Sequence, residues 1–223
     1  MPAEEGVSNE VVVVVVTGGN PPDPDALLQV PIGAPVIAAD KGLDHAISLG
    51  LEVTVAVGDF DSASPVAVAR AEAGGTTLER HPAEKDATDL ELALDRALSM
   101  SPERIVVLGG DDGRLDHLFS TLLLFGSSRY EQVEIDAFVG SAHVFVVRGD
   151  RELRGQPGEL VSLFALHGRA EGVRTEGLAY PLDGETLEPG SSRGVSNLFT
   201  ADTARVSVGS GVVLAVCPRG GAK

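Results

Sequence analysis

Apolar and polar positions along this chain fall into short blocks, and the period of those blocks changes near Gly149. Val11–Val16 is an unbroken valine run, which predicts a first strand buried on both faces. It is far too short to cross a bilayer, and no basic segment precedes it. Pro35–Ala39 predicts a second strand, Val53–Val57 a third with β-branched residues at alternate positions, Thr76–Arg80 a short one, and Arg104–Leu108 another buried one. Helical spacing fills the gaps. Leu43, Ala46, Ile47 and Leu49 form one stripe closed by Gly50, and Ser64-Pro65 opens a helix through Val66–Ala73. Leu90, Ala93, Leu94, Ala97 and Leu98 share a face, with Asp86 or Thr88 placed to cap. Leu118–Phe125 is apolar nearly all round and is expected to be a buried helix. Met1–Glu10 is polar and expected to fray.

Strands alternating with helices predict a layered α/β domain, Rossmann-like, with a mostly parallel sheet. After Gly149 the helical period disappears. Leu160–Ala165, Gly172–Thr175, Ala204–Val208 and Val212–Val216 read as short strands separated by Gly, Pro and Ser, at the spacing of a small β-sandwich or barrel. The expected division is therefore an α/β domain over 1–148 and a smaller β domain over 149–223.

The candidate chemistry sits on the tips of the first half. In V-T-V-A-V-G-D-F-D-S, Gly58 ends a strand and Asp59 and Asp61 follow, where open α/β sheets place their ligands. Two carboxylates one residue apart repel unless a cation lies between them. Mg²⁺ suits the pair, since it takes one or two carboxylates together with substrate phosphates. An Asp-rich turn explains the same residues more plainly, but three further acidic clusters share the half-chain: Asp40-Lys41-Gly42, Lys85–Asp89, and Asp111–His117 with Arg114 as a bidentate phosphate fork. Capping accounts for one Asp at the start of the third helix, but not for Lys85, Asp86 and Asp89 together. His117 on its own reads as a capping or core histidine. The turn Thr17–Pro22 is glycine-rich but matches no phosphate-loop fingerprint.

Composition narrows the field. The 223 residues carry a formal net charge of −16, which sets nucleic acid and anionic membranes aside as partners. A nucleotide site on such a chain needs a metal ion and local cations. Lys41, Lys85 and Lys223 are its only lysines, and the first two lie inside acidic motifs. A single cysteine, Cys217, permits no intrachain disulfide and fits a cytoplasmic location.

Taken together, Ala39–Gly42, Gly58–Ser62, Lys85–Asp89 and Gly113–His117 resemble, in order, the motif series of thiamin pyrophosphokinases. Thr175–Leu182 and Gly194–Asn197 resemble that family's thiamin-binding domain. The resemblance implies transfer of a pyrophosphoryl group from ATP to the hydroxyethyl oxygen of thiamin, giving thiamin diphosphate and AMP. It also implies an α/β nucleotide domain, a β-sandwich domain, and a homodimer with thiamin near the subunit interface. It assigns Asp40, Asp59, Asp61 and Asp89 to Mg²⁺, and Lys85, Asp86, Thr88 and Arg114 to ATP. Asp59, Asp61, Asp89 and Arg114 form its catalytic group, and it places Asp116, Ser196 and Asn197 toward thiamin. Asp61→Ala is then expected to abolish turnover without unfolding the chain. The sequence departs from the pattern at Lys41, where the family usually has glycine, and at Asp111 and Asp112, where it tends to have small or hydroxyl residues. It also has no tryptophan to stack on thiamin, which leaves Phe199 as the candidate.

Three other readings use the same residues. They are pyrophosphoryl transfer to another alcohol such as a pterin, an Asp-dependent phosphohydrolase, and a non-catalytic nucleotide or thiamin-phosphate sensor. The phosphohydrolase reading expects the D-x-D loop after the first strand, whereas Val53–Val57 is at least the third.

Overall fold

The computed structural model describes residues 10–111 and 113–218. The fraying expected of Met1–Glu10 lies outside them except for Glu10, as do Asp112 and Lys223. In chain order the elements are β1 (Val12–Val16), β2 (Val36–Ala39), α1 (Gly42–Ser48), β3 (Val55–Gly58), α2 (Pro65–Ala73) and β4 (Thr77–Arg80). Then come α3 (Asp89–Leu98), β5 (Arg104–Leu108), α4 (Leu115–Phe125), β6 (Glu134–Val139), β7 (Ala142–Val147) and β8 (Asp150–Arg154). The last are β9 (Leu160–Glu176), β10 (Asp183–Leu187), β11 (Asn197–Leu198), β12 (Thr203–Ser207) and β13 (Ser210–Pro218). The fold is mixed α/β, with one large sheet and few helices.

That sheet runs β4-β3-β2-β1-β5-β6-β7-β13-β9-β12-β8, with β10 and β11 attached to β9. The six strands from β4 to β6 are parallel throughout. From β6 onward every pairing is antiparallel. The valine run explains its own placement. Val13 and Val15 face a core shared with α3, Phe125 and Tyr130, while Val12, Val14 and Val16 face a second core containing Ala26 and Ala46. A central parallel strand covered on both sides needs no polar alternation.

Two expectations are corrected. The helix expected to be buried, α4, is largely exposed: only Thr121 and Phe125 are buried, while Leu115 is 76% and Phe119 61% exposed. Leu118, Leu122 and Leu124 pack part of its surface onto the α3 core, and the face carrying Leu115 and Phe119 is turned to solvent. The separate strands expected at Leu160–Ala165 and Gly172–Thr175 are one seventeen-residue strand, β9. His167, Gly168 and Gly172 take positive φ inside it, and its pairings with β13 and β10 shift register, so bulges absorb the glycines that look like turns. The hairpin β6–β7, not anticipated by periodicity, turns at Gly140 and carries the parallel half of the sheet into the antiparallel half.

Candidate functional site

A cleft of about 710 Å³ opens beyond the carboxyl ends of β1, β2 and β3. Parallel strands aim their following loops the same way, so the separate acidic tips meet there. It is lined by the glycine turn after β1, by Asp40 and Lys41 after β2, by Asp59, Asp61 and Ser62 after β3, and by the starts of α3 and α4.

One carboxylate oxygen from each of Asp40, Asp59 and Asp89 lies within 4.8 Å of the other two. Their backbones are arranged for that convergence. Asp40 takes φ +45°, its N–H donates to Val57 O at 2.9 Å, and Ser62 Oγ donates to its Oδ2. Gly58 adopts φ +146°, and a Cβ there would lie 3.1 Å from Asp89 Oδ1 and 3.2 Å from Asp40 Cβ. Only a residue without a side chain lets the two carboxylates close over β3. The Asp61 N–H donates to Asp59 Oδ1 at 3.2 Å, and Asp61 itself is exposed on the cleft lining outside the three-carboxylate group. Asp89 opens α3, whose cap is Thr88: its hydroxyl accepts from Glu91 N at 3.2 Å.

Lys85 answers this charge, with its Nζ 3.1 Å from Asp89 Oδ1 and 3.5 Å from Asp59 Oδ2. The compensation is incomplete. Asp40 Oδ1 is buried and has no donor, and the buried Asp89 Oδ1 has only the Lys85 ammonium. Burial pushes the Asp89 carboxyl above the ordinary carboxylate range despite Lys85. The Asp61 amide, and then Lys85, hold Asp59 below it. Burial works to lower the Lys85 ammonium, but Asp89 and Asp59 outweigh it and hold it raised. Crowded, under-solvated oxygens of this kind fit a hard divalent cation.

A pH dependence follows. Without a cation, the raised Asp89 favours the folded state fully only below the ordinary carboxylate pKa, and that contribution is lost as pH rises through the raised value. The lowered Asp59 works the other way, its contribution being lost as pH falls. Mg²⁺ is therefore expected to raise Tm at neutral pH, with the gain vanishing in acid as Asp89 takes its proton first. Thermal melts with Mg²⁺ and with EDTA between pH 4 and 8 measure it, and a gain independent of pH would contradict it.

The remaining candidates divide. Arg114 and His117 line the cleft from the start of α4. His117 is exposed there, in the first turn of α4, which corrects its reading as a core histidine. Arg114 Nη2 donates to Asp116 Oδ2 at 2.6 Å, an interaction that holds the Asp116 carboxyl low. Asp116 and Asp86 are exposed and are not part of the lining. Ser196 and Asn197 do not reach the cleft within this chain. Ser196 is exposed at φ +58°. Asn197 is buried, accepts from Tyr180 N at 2.9 Å and donates to Tyr180 O at 2.7 Å, so its amide ties down the Tyr180 loop. Phe199 is 2% exposed and packs against Gly155 in the core of the β half, which corrects its candidacy as a stacking platform. Asp111 is accommodated by Gly140, where a Cβ would lie 2.7 Å from its Oδ2.

Sequence reading does not single out His45. It is buried on α1, and its Nε2 lies 3.0 Å from Gly19 O. A carbonyl only accepts, so Nε2 carries the proton and pins the glycine turn to α1. A lone histidine on an amphipathic helix gives no signal of this.

The fold and the cleft together describe an α/β protein with a cation-seeking carboxylate cluster beside lysine and arginine. The chain matches the family model for the thiamin pyrophosphokinase catalytic domain over residues 34–137 and the one for the vitamin B1 binding domain over 147–213. It belongs to the thiamin pyrophosphokinase family, and so is an enzyme of ATP-dependent pyrophosphoryl transfer to thiamin. It is 27% identical over 182 residues to the thiamine pyrophosphokinase of Bacillus subtilis, covering 81% of this chain and 85% of that protein. The crystal structure of thiamine pyrophosphokinase from Bacillus subtilis superposes with a TM-score of 0.81 at 25% identity, over 93% of this chain and 98% of the other. That of a family protein from Enterococcus faecalis gives 0.76 at 27% identity, with the same coverage. Among the described residues no helix is long and apolar enough to cross a membrane, which leaves β-barrel spans unaddressed.

Proposed function

We propose that the transfer takes place in this cleft, with Mg²⁺ held by Asp40, Asp59, Asp61 and Asp89 and with ATP reached by Lys85, Thr88 and Arg114. The observation that carries the reading is the convergence of three carboxylates from three separate chain segments, with the buried Asp40 Oδ1 left without a donor. Pyrophosphoryl transfer requires in-line positioning and neutralised charge, with little covalent work by the protein. When bound, Mg²⁺ supplies charge neutralisation on the phosphates and polarises the attacked phosphorus. Ser62 keeps Asp40 in place, and the Asp61 amide and Lys85 orient Asp59. Arg114, held at the mouth of the cleft by Asp116, offers a two-pronged donor to the phosphate oxygens.

In this reading the Rossmann-like α/β half, 1–148, binds nucleotide, and a β-sandwich half, 149–223, holds thiamin. The chain works as a cytoplasmic homodimer. Support for the dimer comes from the exposed apolar side chains Leu115 and Phe119 on α4 and Tyr180 and Phe164 in the β half. Purified protein with Mg²⁺, ATP and thiamin is expected to yield AMP and thiamin diphosphate in equal amounts. Thiamin-independent phosphate release, AMP formed only with a pterin alcohol, or unchanged ATP would overturn it, and a monomeric mass in solution would overturn the dimer.

A further inference from the structure

Lys41 and Lys85 are the only lysines among the described residues, and both line the acidic cleft of a chain whose net charge is −16. Among the described residues, the lysine and arginine side chains that line it are Lys41, Lys85 and Arg114. Two have taken carboxylates, Lys85 those of Asp59 and Asp89, and Arg114 that of Asp116. Lys41 is exposed and its side chain makes no ion pair or hydrogen bond among the described residues, although its own chain neighbour is Asp40. Its backbone is not free to drift. The preceding Asp40 is fixed at φ +45° by Val57 O and Ser62, Lys41 O accepts from Asp44 N at 3.1 Å, and the position of a Cβ on Gly18 lies 3.4 Å from Lys41 Cβ. The stem therefore starts beside the glycine turn Thr17–Asn20, which His45 holds from behind through Gly19 O. That turn lines the same cleft.

We propose that Lys41 is a phosphate-positioning residue, its ammonium gripping the polyphosphate of the bound nucleotide beside the glycine turn. The inference rests on the nucleotide reading of the cleft and adds to it a residue outside the carboxylate, Lys85 and Arg114 set. An ammonium without a protein partner at the mouth of a site for a highly charged anion adds attraction without having to surrender an existing ion pair. The two engaged cations must first exchange carboxylate for phosphate. Because Lys41 supports no other side chain, its removal acts on the ligand and leaves the fold alone.

The test is titration calorimetry of the full chain with Mg²⁺ and a non-hydrolysable ATP analogue, on the parent protein and on Lys41→Gln and Lys41→Arg. Lys41→Gln is expected to raise Kd about tenfold. Lys41→Arg should recover most of that affinity, and all three proteins should share one Tm. Affinity should also fall less steeply with KCl in Lys41→Gln than in the parent. In turnover, KM for ATP should rise while kcat stays within about twofold. Equal Kd and equal salt dependence for the parent and Lys41→Gln would overturn the role of Lys41 and leave the nucleotide site standing. A parent protein that does not bind the analogue would overturn the nucleotide reading itself.

Discussion

Asp59→Asn is expected to lower kcat by roughly 10²–10³-fold or more while leaving Tm within a few degrees of the parent. Asn keeps the oxygen that accepts from the Asp61 amide at 3.2 Å, so the turn after β3 is preserved and only the charge is lost. That charge is one of three gathered within 4.8 Å, and Lys85 Nζ leans on it at 3.5 Å. Its removal weakens cation binding and leaves Lys85 paired with Asp89 alone. Asp61→Ala, on the same loop but exposed, is expected to abolish turnover with equally little effect on folding. Steady-state rates at saturating Mg²⁺, alongside thermal melts, check both. Near-normal turnover in either variant would remove that residue from the catalytic group, and a collapsed Tm would show its role to be structural.

Gly42→Ala is expected to damage the fold itself, by about 3 kcal/mol or more, which for a chain of this size corresponds to a fall in Tm of roughly 10 °C. Gly42 begins α1 directly over the end of β1. A Cβ there would lie 2.1 Å from Val16 O and 2.7 Å from Val16 C. Backbone cannot yield as the end of a flexible side chain does, so α1 must lift away from the sheet. It would carry Lys41 and the His45 pin of the glycine turn with it. Chemical denaturation of the variant measures the loss, and a stability within 1 kcal/mol of the parent would contradict the packing described.

Much of the site was legible because its logic is local. A β-branched run followed by Gly58, Asp59 and Asp61 can only put the carboxylates beyond a strand end, and parallel strands bring such ends together. What stayed hidden depends on partners distant in sequence. The all-round apolar pattern of α4 shows that the helix has surface to cover but not what covers it, and α4 leaves Leu115 and Phe119 facing solvent. Phe199 looked available because it follows Ser196-Asn197. Its burial is decided by Gly155, more than forty residues earlier. The length of β9 was hidden because a glycine at a bulge and a glycine at a turn look alike when the paired strand is unknown.

Residue 149, where the composition changes, is not a seam in the hydrogen-bonded framework. β6 passes its ladder to β7, β7 to β13 and β13 to β9, so the backbone network is continuous from the acidic tips to the far edge at β8. Swinging one half against the other would break those ladders. Access to the cleft therefore falls to its turns, with a continuous sheet behind them.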